Sequence, residues 1–164
     1  ADLKAQPNVT EVFDSSRIPG EIMDMMVVNT QTLRDNPALG KALTGAWFEM
    51  VALMHANSAG STAALTAMAK ASGTDLAVFK GQLSTTALFY TPQAAVDFVT
   101  NPDLPKIMAR VAKFSFDHGL LGQNAKSADV VGMAFDKGVV VGSKSNVKLR
   151  FDPTYVKMAA AGQL

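Results

Sequence analysis

The chain has 164 residues, 48% of them hydrophobic, with a mean hydropathy of +0.14, which excludes a disordered polypeptide and is enough for one sizeable core. Fifteen basic and fourteen acidic side chains leave a formal charge of +1, without the concentrated positive field that nucleic-acid binding needs. No apolar stretch reaches the roughly 18 to 20 residues that span a bilayer, Ala-Asp-Leu-Lys-Ala-Gln is no signal peptide, and the absence of cysteine removes disulfides, zinc-thiolate sites and thiol nucleophiles together.

In chain order, residues 9–13 read as a short strand, and residues 22–28, apolar except for Asp24, as a strand buried on both faces. Between them lie two serines, an arginine, the Pro19-Gly20 turn and two acids, the pattern of a ligand-facing loop that feeds a buried strand. Asn36-Pro37 matches an N-cap followed by proline at the first helical position. Leu39, Leu43, Trp47, Met50 and Met54 then recur at three- and four-residue steps, predicting a helix over about 37–56.

Gly60 and Ser61 interrupt that helix, and an alanine-rich second helix runs over 62–71 to a stop at Gly73. Thr74 caps a third helix carrying Leu76, Phe79 and Leu83. Residues 87–90 are extended, and Thr91-Pro92 opens a fourth helix. Leu104, Ile107, Val111 and Phe114 form the apolar face of a fifth, ending near Gly119, with Lys106, Arg110 and Lys113 along another side. Ser127 caps a sixth through Ala134. The three valines of residues 138–142 make a short strand or hairpin arm, and Asp152-Pro153 opens the last helix.

These elements predict a compact, helix-rich α/β unit over 1–164, with crossover strands and loop in 1–30 and a helix-rich lobe over 31–164. No internal repeat or interdomain linker appears. Met68, Met108, Met133 and Met158 sit among other apolar residues and read as core rather than as an adaptable groove.

The candidate site residues are Ser15, Ser16, Arg17, Glu21 and Asp24. The two hydroxyls either grip a small polar solute or serve as turn and capping groups. Arg17 either meets an oxyanion or, the more ordinary outcome, pairs locally with Asp14, Glu21 or Asp24. Asp24 interrupts an apolar run, where a charge needs a partner, so a hinge salt bridge and a ligand carboxylate both fit. Three acids to one base over 14–24 favour donor-rich or cationic ligands, such as amides, ureas or guanidinium, over nitrate or sulfonate.

Other constellations carry less. Helical spacing accounts for Trp47 and Phe48 as core rather than as an aromatic wall. His55 and His118 lack metal-ligand spacing. Ser115, Asp117 and His118, at i, i+2 and i+3 of one helix, cannot converge as a triad. Gly40-Lys41 and Gly45 make no phosphate loop, and Lys106, Arg110 and Lys113 read as a solvated face.

The opening block, Phe13-Asp14-Ser15-Ser16-Arg17-Ile18-Pro19-Gly20-Glu21 with the apolar run and helix behind it, resembles the crossover region of periplasmic solute-binding proteins of the nitrate/sulfonate/taurine type. Asn36-Pro37-Ala38-Leu39, Lys41-Ala42-Leu43 and Ala46-Trp47-Phe48-Glu49 fit the long helix of that family. Tyr90-Thr91-Pro92, Phe114-Ser115-Phe116-Asp117-His118-Gly119-Leu120-Leu121-Gly122 and Leu149-Arg150-Phe151-Asp152-Pro153 are similar to the tail of a branch found near urea-carboxylase-type genes. The resemblance implies the helix-rich C-terminal portion of a bilobed, type II-like binding-protein fold. It further implies a periplasmic location, a small-molecule ligand such as urea or guanidine, an ABC permease as partner, an N-terminal lobe outside this chain, and neither cofactor nor metal. An enzyme of the same architecture in pyrimidine-precursor biosynthesis, or a helical interaction domain without ligand, is the alternative.

Overall fold

The computed structural model describes residues 6–164; the first five residues, and with them most of the stretch read as no signal peptide, lie outside the described residues. The fold is mixed α/β and helix-rich, as the sequence implies, with one small sheet. It divides into two compact units. A helical unit takes the described residues up to Val12, Asn29–Ala95 and Tyr155–Leu164, and a sheet unit takes Phe13–Val28 and Val96–Thr154. Two of the four crossings between the units fall inside helices.

The helical unit begins with α1 (Thr30–Asp35), whose Asn29 side chain accepts from the N–H groups of Gln31 and Thr32. Asn36 has left helical geometry (φ −137°, ψ 79°) because the following proline crowds its α conformation, and Pro37 starts α2 (Pro37–His55). The expected long helix is therefore present. α3 (Ala59–Ala71) starts earlier than expected. Ser58 caps the Ser61 N–H at 3.1 Å, and the buried Ser61 hydroxyl donates to the Met54 carbonyl at 2.9 Å. Gly60 and Ser61 thus form the first turn of α3 instead of interrupting a helix.

Asp75, not Thr74, caps α4 (Leu76–Ser84), since its carboxylate reaches the Val78 N–H at 2.9 Å. α5 (Pro92–Val99) follows. Val51, Leu65 and Ala69 form the buried positions where α2 meets α3. Gly40 lies so close to Tyr155, in α7 (Thr154–Ala160), that a Cβ there would sit 2.4 Å from the ring Cζ. Trp47, expected in the core, is 46% exposed.

In the sheet unit, α6 (Leu104–Asp117) packs Leu104 and Met108 onto Met133, Phe135 and Phe151. The Phe135 and Phe151 rings stack with centroids 4.8 Å apart and planes 6° from parallel. β1 (Gly132–Ala134) lies between β2 (Val140–Val141), antiparallel to it, and β3 (Val147–Arg150), parallel to it with a register shift after Gly132. The expected hairpin arm is β2. Its turn uses positive φ at Lys137 (56°) and Gly138 (75°), which suits a tight connection.

One expectation fails here. The predicted sixth helix stops after one 3-10 turn, Ala128–Val130, although Ser127 does accept the Asp129 N–H. The backbone at Gly132 runs so close to Ser143 that a Cβ would meet its carbonyl oxygen at 2.0 Å, and Gly142 meets the Val131 carbonyl in the same way at 2.2 Å. Two glycines permit this approach, and the pairing it allows outweighs local helix preference.

Residues 9–13 and 22–28 are not strands either. The second run is not buried, with Ile22 and Val27 each 71% exposed. A strand exists only by exchanging hydrogen bonds with a neighbour, and the three strands of the described residues pair among themselves.

Candidate functional site

The loop ahead of residue 22 is built by local hydrogen bonds and lies against α6. Asp14 caps the 3-10 turn Ser15–Arg17, accepting from the Ser16 N–H at 2.9 Å and from the Ser16 hydroxyl. The Ile18 N–H then bonds to the Ser15 carbonyl, and the Glu21 N–H to the Ile18 carbonyl. Gly20, at φ 82°, places its Cα where a side chain would touch Phe98 and Ile107 at about 3.4–3.5 Å. That is ordinary contact spacing, so the positive φ, not lack of room, is what favours glycine there.

One residue later, Glu21 meets the helix. Arg110 Nε and Nη2 both donate to Glu21 Oε1, at 3.1 and 2.9 Å. The loop and the helix enclose an open pocket of about 370 Å³ lined by Arg17, Ile18, Pro19, Glu21, Asp103, Lys106, Ile107 and Arg110. The helical members recur at three- and four-residue steps, so they share one face of α6. Lys106 Nζ donates to Asp103 Oδ1 at 2.8 Å. That hydrogen bond and the Lys106 charge, helped less by Arg110, hold the Asp103 carboxyl below its ordinary range against an opposing loss of hydration.

The structure brings together two of the five expected residues, Arg17 and Glu21. Ser15 and Ser16 belong to the exposed turn that carries Arg17, and the Ser16 hydroxyl is engaged with Asp14. Asp24 is exposed and outside the pocket lining, so the burial that would force a partner on it is absent. Arg17 does not take a local acid: Glu21 pairs with Arg110, 89 positions away, and the Arg17 guanidinium makes no hydrogen bond or ion pair among the described residues.

Sequence reasoning missed Asp103, Lys106 and Arg110 as site residues. The only available signal was their common helix face, which reads equally as a solvated one. Including them changes the electrostatics. Residues 14–24 alone hold three acids and one base, whereas the pocket holds Arg17, Lys106 and Arg110 against Glu21 and Asp103. Lys113 stays outside, bonded to Asp117 at 2.6 Å, and His118 meets Phe114 with tilted rings, centroids 4.2 Å apart, so Asp117 and His118 are engaged with different neighbours.

No helix among the described residues is long and apolar enough to cross a membrane. Compared with protein-family models, with curated proteins and with solved structures, the chain matches none.

Proposed function

We propose that this chain is the C-terminal portion of a periplasmic, bilobed solute-binding protein that captures a small polar solute of the urea, guanidine or amide type and presents it to an ABC permease. The observation that carries the reading is the pocket between the 14–21 loop and α6, whose lining combines two carboxylates and three cations with Ile18, Pro19 and Ile107. Carboxylate oxygens of Glu21 and Asp103 accept from an N–H-rich solute, while Arg17, Lys106 and Arg110 donate to its carbonyl or balance its charge. Binding at such a site requires no bond to be made or broken.

The exposed apolar run at 22–28 supports the same reading. It has the composition of a strand from the middle of a sheet, and the proposed N-terminal lobe supplies the neighbouring strands.

The test is thermal unfolding with millimolar urea, guanidinium, nitrate, taurine or an aliphatic sulfonate. A ligand at a hundred times its Kd stabilises the fold by about 2.7 kcal/mol, which for a chain of this size raises the midpoint by roughly 5–10 °C. A shift with urea or guanidinium that Glu21→Gln removes is the expected result. A cooperative transition that none of the five compounds moves would refute capture of these five solutes by this pocket.

A further inference from the structure

The pocket is larger than urea or guanidinium, and its charges are unevenly committed. Seven residues separate Asp103 from Arg110 on α6, about 10 Å along the axis at 1.5 Å per residue. The volume of about 370 Å³ corresponds to about a dozen water-sized shares of about 30 Å³ each, whereas urea has only four heavy atoms. Solutes that small leave most of the space filled by water.

The ion pairs also leave specific atoms available. Both Arg110 contacts go to Glu21 Oε1, and Lys106 bonds to Asp103 Oδ1, so Oε2 of Glu21 and Oδ2 of Asp103 retain acceptor capacity. The pairs are exposed enough for a ligand to reach them, with side-chain exposures of 61% and 28% for Arg110 and Glu21. Arg17 is the lining cation whose guanidinium makes no hydrogen bond or ion pair among the described residues, and it stands on the loop side of the pocket. Ile18, Pro19 and Ile107 supply apolar surface in the same lining.

Resting on the solute-binding reading above, we propose that the pocket selects a short ω-guanidino or ω-ureido acid. Glu21 and Asp103 hold the N–H-rich head, the methylene spacer lies on Ile18, Pro19 and Ile107, and Arg17 pairs with the terminal carboxylate. A planar guanidinium and a carboxylate meet through two parallel hydrogen bonds, so the Arg17 end contributes both affinity and orientation. A solute with only one of the two ends satisfies half of the site.

Isothermal titration of the whole chain with guanidinoacetate, 3-ureidopropionate, guanidinium chloride and acetate tests the assignment. At least one of the two acids should bind about tenfold or more tighter than both guanidinium and acetate, since its two ends act in one molecule. Arg17→Gln should lower the affinity for that acid about tenfold more than the affinity for guanidinium, with the thermal midpoint of the free protein unchanged as evidence that the exposed turn still folds. Glu21→Gln should weaken the acid and guanidinium alike. Guanidinium or acetate binding as tightly as both acids would overturn this selectivity and leave solute capture standing. Failure of all four compounds here, together with failure of the thermal panel, would overturn the solute-binding reading itself.

Discussion

Replacing Gly40 by alanine places a methyl group 2.4 Å from Tyr155 Cζ and 2.6 Å from Cε1 and Cε2, all within the helical unit. Carbon atoms in good contact stand about 3.5–4.0 Å apart, so the ring, and with it the start of α7, has to move by about 1 Å or more. Overpacking of this kind costs about 1–3 kcal/mol, while glycine to alanine inside a helix gains about 1 kcal/mol. The net expectation is a loss of up to about 2 kcal/mol.

Gly45, five positions along the same helix, is the control. A Cβ there has Leu164 Cδ1 at 4.0 Å, an ordinary contact, so Gly45→Ala keeps the propensity gain without the clash. The two variants should differ by about 2 kcal/mol, or roughly 4–8 °C in midpoint by far-UV circular dichroism. Heat is the denaturant of choice because urea and guanidinium are candidate ligands. In a Tyr155→Ala background the penalty at Gly40 should shrink, since the added methyl then enters the space left by the ring. Gly40→Ala melting at or above Gly45→Ala would refute the reasoning.

Gly132→Ala should be more damaging, with a loss above about 3 kcal/mol, because the obstacle is a backbone carbonyl that cannot rotate away; thermal melts measure it, and a midpoint equal to the parent's would contradict the geometry. Phe151→Ala removes one of two stacked rings from a site 8% exposed and should cost about 3–5 kcal/mol, with amide exchange accelerated in β1 and α6 more than in α2 and α3. The Asp103 carboxyl titrates lower when folded than when unfolded, so its contribution to stability is present above the ordinary value of 3.8 and is lost as pH falls through the lower folded value. Asp103→Asn should therefore flatten the acid limb of a midpoint-against-pH curve below about pH 4; an unchanged limb would show that the Lys106 pair has no effect on stability.

Helices were legible where the signal is local. Pro37, Pro92 and Asp152 announce their own helix starts because proline and an N-cap act within one turn. The expected cap at Thr74 missed Asp75 by one residue, since neighbouring hydroxyls and acids compete for one cap. β1 was illegible because its decisive contact, Gly132 against Ser143, joins residues that no helix or strand period relates. The run at 22–28 was misread as buried because an apolar composition specifies a strand only when partner strands are at hand. For the site, composition marked Arg17 and Glu21. Which surface they would face depended on Glu21 pairing with Arg110, 89 positions away, which cannot be seen in the spacing of Lys106 and Arg110.

The interleaving of the two units along the chain also governs the order in which they become complete during synthesis. Residues 13–28 leave the ribosome long before the 96–154 partners of the sheet unit exist, and the helical unit waits longer still for Tyr155 to reach Gly40. Met25 to Val27, exposed even in the folded unit, therefore gain no shielding from the sheet unit while its later residues are still being made. A chaperone that recognises short extended apolar stretches would find its target there, and replacing Met26 and Val27 with polar residues should reduce that dependence without disturbing either folded unit.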